Sequence, residues 1–242
     1  MFGLGTIINT FAIIFGGIFG ALFGRLLKER HQDTLMKTSG VSVLFISIAG
    51  VMEGMLTIQD GGIVSGQTLL IVLSLAIGSF IGEIINIEGY FERFGEWLKI
   101  KSGNAKDKGF VNAFVTASFT VSIGAMAIVG AIRDGIFGDS SILVTKSILD
   151  FVIIMVMTGS MGKGCAFSAI PVLILEGGMT LMARFIQPIM TEAAMENLSL
   201  VGSILIFCVG LNLVFGKKIR VANLLPALIL AVAAAFLPFN LS

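Results

Sequence analysis

The sequence predicts an all-α polytopic membrane protein, and three observations carry that prediction. Of 242 residues, 56% are hydrophobic and only 13% charged, against about 25% charged in a typical soluble domain. The mean hydropathy of +1.00 leaves too little polar surface to cover a water-soluble globule. The apolar residues also form continuous runs close to the ~20 residues a helix needs to cross the hydrocarbon core, about twice the length of the alternating segments of a β-barrel. Helices are required, because lipid offers no partner to an open backbone. A single domain over 1–242 is expected, since nothing in the chain is long enough to act as a linker.

Eight spans follow, near 4–25, 39–58, 65–87, 109–132, 141–158, 164–183, 197–215 and 221–239. The count is seven if 164–183, which holds Pro171, Glu176, Gly177 and Gly178, is re-entrant. Basic residues orient the bundle. Thirteen of the 16 fall in alternate loops, in clusters such as Lys99–Lys108 and Lys217–Arg220; the other side keeps Arg133, Lys146 and Arg184. The positive-inside rule then puts both termini outside. The first run reads as an anchor rather than a cleaved signal, because residues 1–8 carry no basic segment and the positive cluster follows the run.

Span 1 has Gly16, Gly20 and Gly24 at steps of four, and span 3 has Gly78 and Gly82. Such stripes let another backbone approach closely. They fit packing within the bundle, with the two stripes facing each other, or a homodimer formed through Gly16, Gly20 and Gly24. After span 3 the pattern turns amphipathic over 88–99, with Tyr90, Phe91, Phe94 and Trp97 against charged residues. This suits a helix lying along the membrane interface. A slight likeness of 40–50 to 202–212 predicts an inverted repeat of spans 1–3 against spans 6–8.

Span 4 carries a ladder of hydroxyls at Thr116, Ser118, Thr120 and Ser122, then Gly124 and Gly130, and closes on Arg133 and Asp134. Asn112 shares a face with Thr116 and Thr120, and these three are the candidate polar lining. Arg133 and Asp134 are either a rim pair satisfying each other or an outer gate. In span 5, Lys146 and Asp150 stand at i, i+4 and share a helix face. Ionised groups in hydrocarbon are costly and mark pathways or mutually neutralised pairs. Glu176 in span 6 is a further candidate proton carrier. Gly124, Gly130, Pro171 and Gly177 are the candidate helix breaks, where freed carbonyls and half-helix ends hold ions or substrates in transporters.

Other chemistry finds little footing. A net charge of +1 recruits no nucleic acid. His31 is the sole histidine and sits in a basic loop, which disfavours a histidine-dependent triad or a metal centre. Cys165 and Cys208 lie in separate apolar runs and read as packing residues. The string TGSMGKGC (158–165) resembles a phosphate loop but has Met157 for the first glycine and Gly164 for the Ser/Thr. No enzyme activity and no cofactor are expected.

Taken together, GAMAIVGAIRDG (124–135), KSILD (146–150), FSAIPVLILEGG (167–178), LGTIIN (4–9), GSFIGEIINIE (78–88) and VANLLPAL (221–228) resemble the YdfK/YqgA-like integral membrane proteins of prokaryotes. That family is a domain of unknown function commonly labelled as transport proteins. The resemblance implies a multi-pass protein of the bacterial inner or plasma membrane, with seven or eight spans and no established substrate.

The function expected is a secondary transporter for a small polar or charged solute, coupled to H⁺ or Na⁺, with lipids as its surroundings. The alternatives are a non-transporting membrane scaffold or partner-binding subunit, and an oligomeric channel. A polar cavity reaching Lys146 and Asp150 favours transport; a bundle packed dry around them favours the scaffold.

Overall fold

The computed structural model describes residues 3–24, 26, 28–59, 61–122 and 125–237. Its helices are α1 (Leu4–Gly24), α2 (Glu29–Met55), α3 (Thr68–Ile85), α4 (Ile87–Lys101), α5 (Phe110–Ser122), α6 (Ala125–Phe137), α7 (Ser141–Met161), α8 (Ala169–Leu181), the short α9 (Ala183–Ile186), α10 (Glu192–Phe215) and α11 (Pro226–Ala234). Two 3-10 helices, Lys163–Ser168 and Val221–Leu224, lead into α8 and α11. Among the described residues six helical stretches are long and apolar enough to cross a membrane. The pair α5 and α6, bent by 62°, is either a broken seventh span or a re-entrant loop. The eighth predicted span is represented by a shorter apolar stretch, Val221–Ala234.

The all-α expectation needs one addition. The stretch after α2 forms an antiparallel hairpin, β1 (Leu56–Gln59) with β2 (Gly62–Ser65), pairing Ile58 with Ile63. Two boundaries also shift. The second helix starts ten residues before its predicted span, its polar first turns supported by a 2.7 Å ion pair between Lys37 and Asp33. The third predicted span ends early at Asn86, whose left-handed backbone (φ +56°) closes α3 and opens α4. Asparagine tolerates that conformation because its short side chain bonds locally, and here it accepts the Gly89 N–H.

Helix α1 packs along α7, α2 along α10 and α3 on α11. The glycines explain how closely. A Cβ added at Gly16 or Gly20 would run into the Phe151 or Met155 carbonyl of α7, and one at Gly24 would lie 3.0 Å from Gly159. One at Gly78 or Gly82 would strike Ala227 or Asn223. The two stripes therefore do not face each other. Gly16, Gly20 and Gly24 are taken up by α7 of the same chain, the packing use of the stripe.

The amphipathic segment is the separate helix α4. Phe91 and Phe94 turn inward onto Phe119 and Phe114 (4.8 and 5.9 Å between centroids), while Tyr90 and Trp97 stay exposed. Its start is latched to the α10–α11 turn. The buried Glu88 carboxylate accepts the Ala222 N–H at 3.1 Å and pairs with Lys217 at 2.8 Å, and the Glu88 N–H donates to Asn223 Oδ1. Lys217 also meets Glu92.

Candidate functional site

Two helices, α7 and α8, bring ionisable groups together in the buried interior. On α7, Lys146 and Asp150 pair directly, as their spacing predicts. Glu176 of α8 lies on the same ammonium, 3.4 Å from Lys146 Nζ. The three side chains are 8%, 6% and 1% exposed. Lys146 also donates to the Val121 carbonyl at 2.8 Å. Val121 is next to last in α5, and the final carbonyls of a helix have no intrahelical partner. A cation at a helix C-terminus also meets the negative end of its dipole. The end of α5 thus holds Lys146 in place.

Asn9 of α1 completes the cluster. Its amide donates to both Glu176 oxygens, at 2.9 and 3.1 Å. One turn nearer the start of α1, the hydroxyls of Thr6 and Thr180 meet at 3.2 Å. Beyond them the buried Asp134 accepts the Gly5 N–H at 2.9 Å, where a negative charge suits the α1 N-terminus. A file of polar contacts therefore runs from Asp134 through Thr6–Thr180 and Asn9–Glu176 to Lys146 and Asp150. A cleft of about 500 Å³ lined by Thr6, Gly135, Gly177, Thr180 and Arg184 adjoins its upper part.

The cluster sets two carboxyl groups against one amino group. One ammonium faces two carboxylates and the negative end of a helix. Isolated ionised carboxylates are very costly in a low-dielectric interior. Apart from the shared Lys146, the donor to Glu176 is the neutral Asn9 amide, which binds a carboxylate without cancelling its charge.

Other candidates from the sequence go elsewhere. Arg133 and Asp134 do not pair. Arg133 is half-exposed and bridges to Asp139 at 3.0 Å, while Asp134 points inward. Hydrogen bonds from the Ser141 hydroxyl and N–H, helped by Arg133, hold the Asp139 carboxyl below its ordinary value of 3.8. Asn112 and Thr116 line a small cavity of about 120 Å³ with Glu88, Asn212 and Lys217, apart from Lys146. Thr120 bonds back to the Thr116 carbonyl at 2.8 Å, and Ser118 likewise to Phe114. Gly130 and Gly177 are not breaks: α6 and α8 run helically through them. A Cβ at Gly130 would press on Leu143, so that glycine serves packing. Pro171 lies in the first turn of α8, where its missing N–H costs nothing. Gly124 lies outside the described residues.

Among the described residues, the cavities of this conformation are not lined by Lys146 or Asp150, whereas an open permease requires water to reach them. The cavity of about 430 Å³ between α5, α8 and α10 has apolar walls that include none of the three ionisable residues. Sequence reasoning missed Asn9, Thr6 and Thr180. A lone asparagine in an otherwise lipid-like span was the available signal for the first.

The family described as "Protein of unknown function (DUF554)" matches residues 4–236. The chain is similar to "Uncharacterized membrane protein YdfK" of Bacillus subtilis (strain 168), 29% identical over 232 residues, covering 96% of this chain and 95% of the relative. It is also similar to "Uncharacterized protein YqgA" of Escherichia coli (strain K12), 30% identical with 94% of each chain covered. No solved structure matches.

Proposed function

This chain belongs to the DUF554 family of proteins of unknown function, and from that premise we propose that it is a small secondary transporter of the bacterial cell membrane, described here in a closed state. Its coupling element is the Lys146–Asp150–Glu176 cluster, which takes up one further positive charge, H⁺ or Na⁺. Both termini lie outside, as the basic loops require, and spans 1–3 and 6–8 form the two halves of an inverted repeat.

The single observation that carries this reading is the charge count: two carboxylates to one ammonium, sealed from water. A cluster built only for stability would be matched one to one or replaced by apolar residues at little cost. The bend between α5 and α6, with a freed carbonyl holding Lys146, fits the discontinuous helices of transporters.

The burial of Lys146 and Asp150 against each other favours a second reading, a non-transporting subunit whose ions only fix helix register. Currents from reconstituted protein on a solid-supported membrane separate the two. Organic acids, amines and amino acids are applied under H⁺ or Na⁺ gradients. The transporter gives cation-dependent currents that Glu176→Gln abolishes. Absence of any protein-dependent current under every gradient supports the subunit.

A further inference from the structure

The rim of the bundle around α4 carries a basic and aromatic surface, far from the buried cluster in character. On α4 the exposed side chains Tyr90, Arg93, Trp97 and Ile100 recur every three or four residues and so share one helix face. Tyr90 and Trp97 are the only tyrosine and tryptophan of the chain. The Arg93 guanidinium lies 4.4 Å from the centre of the Tyr90 ring. The other face of α4 is taken up by packing, through Phe91 and Phe94.

Two loops join this face. The Asn104 N–H donates back to the Lys99 carbonyl at 2.9 Å, which folds the 102–109 loop onto the end of α4. The turn after α7 meets the same loop: a Cβ added at Gly162 would lie 3.8 Å from Asp107 Oδ2, and one at Gly109 would lie 3.6 Å from the Met161 carbonyl. Lys163 is thereby brought to the loop that carries Lys106 and Lys108. The carboxylates of this surface are already engaged. Glu88 and Glu92 pair with Lys217, Glu96 pairs with Lys99, and Asp107 accepts the Gly109 N–H. Arg93, Lys101, Lys106, Lys108 and Lys163 are exposed and, among the described residues, stand in no ion pair.

Charge and position identify what covers this surface. Helix α3 is apolar enough to cross a membrane and ends at Asn86, where α4 begins, so α4 starts at the membrane boundary. Aromatic rings such as Tyr90 and Trp97 settle at headgroup level. A neutral headgroup layer would hold the rings but leave the unpaired basic side chains without counter-charge. Basic clusters beside a span are drawn to anionic lipid, which serves rings and cations together. We propose that this surface binds anionic phospholipid headgroups, whose phosphate oxygens meet Arg93, Lys101, Lys106, Lys108 and Lys163 while Tyr90, Trp97 and Ile100 sit at the headgroup boundary. This contact holds whether or not the protein transports.

Trp97 is the sole tryptophan, so its fluorescence reports this surface alone. The full chain is placed in phosphatidylcholine nanodiscs that contain a small, equal fraction of phosphatidylglycerol or phosphatidylcholine brominated at the same acyl position near the headgroup. At low salt, brominated phosphatidylglycerol should quench Trp97 roughly three- to tenfold more effectively than brominated phosphatidylcholine. High salt should erase the difference, because it screens exposed charges. Lys101→Gln, Lys106→Gln, Lys108→Gln and Lys163→Gln together should remove most of the excess and leave quenching by phosphatidylcholine unchanged, whereas the corresponding Lys→Arg changes should keep it. Should the glutamine variant fail to fold, the salt dependence of the wild type still decides. Equal quenching by the two lipids at low salt overturns the proposal, as does an excess that survives high salt or the glutamine changes. Trp97 quenched by aqueous acrylamide and by neither lipid puts this surface in water, as a soluble acidic partner would require, and overturns it too.

Discussion

Glu176 is held by one shared ammonium and one neutral amide, so single side chains there carry more weight than their number suggests. Asn9→Ala leaves a buried carboxylate without two N–H donors, a loss of about 1–3 kcal/mol. Its Tm should fall by several degrees in thermal unfolding, and an unchanged Tm would mean that Glu176 is not buried as described. Glu176→Gln should behave differently. It removes the surplus charge and leaves Lys146 matched to Asp150, so Tm holds or rises while any stabilisation by added NaCl disappears. A Glu176→Gln protein with an intact NaCl response places cation binding elsewhere. At this scale Lys146 and Asp150 were legible, because i, i+4 spacing fixes a shared helix face. Asn9 and Thr180 were not, because their partners lie 167 and 174 residues away and no local spacing encodes such contacts.

Among elements, the glycine stripe on α1 makes a sharp contrast with glycines that touch nothing. Gly20→Leu drives a side chain into the Met155 carbonyl and Thr158 of α7, an overpacking cost of about 1–3 kcal/mol or more. Gly178→Ala meets no atom within 4 Å, and replacing a mid-helix glycine should stabilise by about 0.5–1 kcal/mol. Thermal unfolding of both variants checks the α1–α7 seam; equal and small effects would separate those helices. The latch at the α10–α11 turn makes a pH prediction. Burial pulls the Lys217 ammonium down, but hydrogen bonds and charge from Glu88 and Glu92 outweigh it and raise its pKa above the ordinary 10.5. A raised lysine contributes stability that is present below 10.5 and lost as pH rises through the folded value. Lys217→Met should lower Tm at neutral pH and flatten the alkaline decline of the wild type. The stripes announced close packing, since glycine at steps of four has no other common use in a span. They did not name the partner helix, because any backbone fits a glycine groove. The change from α3 to α4 was legible to within two residues, from the switch to an amphipathic pattern; the left-handed Asn86 that makes the turn was not.

For the whole molecule, the class was legible because composition alone forbids a soluble globule. The arrangement was harder to read, because lipid-facing and buried faces are equally apolar and periodicity loses its contrast. The exposed Phe11, Phe45 and Phe80 show this directly. Orientation rests on the basic loops and has its own check. In a background lacking Cys165 and Cys208, Ile63→Cys on the hairpin should react with an impermeant maleimide from outside intact cells, and Lys106→Cys only after permeabilisation. The reverse labelling would invert the topology. The central claim is that the sealed trio of Lys146, Asp150 and Glu176 carries one exchangeable positive charge. Infrared difference spectroscopy of the reconstituted protein tests it most directly, through the carbonyl stretch of a protonated carboxylic acid. In buffer free of alkali cations the account predicts one such band per chain, lost in Glu176→Gln or Asp150→Asn or displaced by Na⁺. A cluster that shows no protonated carboxyl and binds no cation would contradict it.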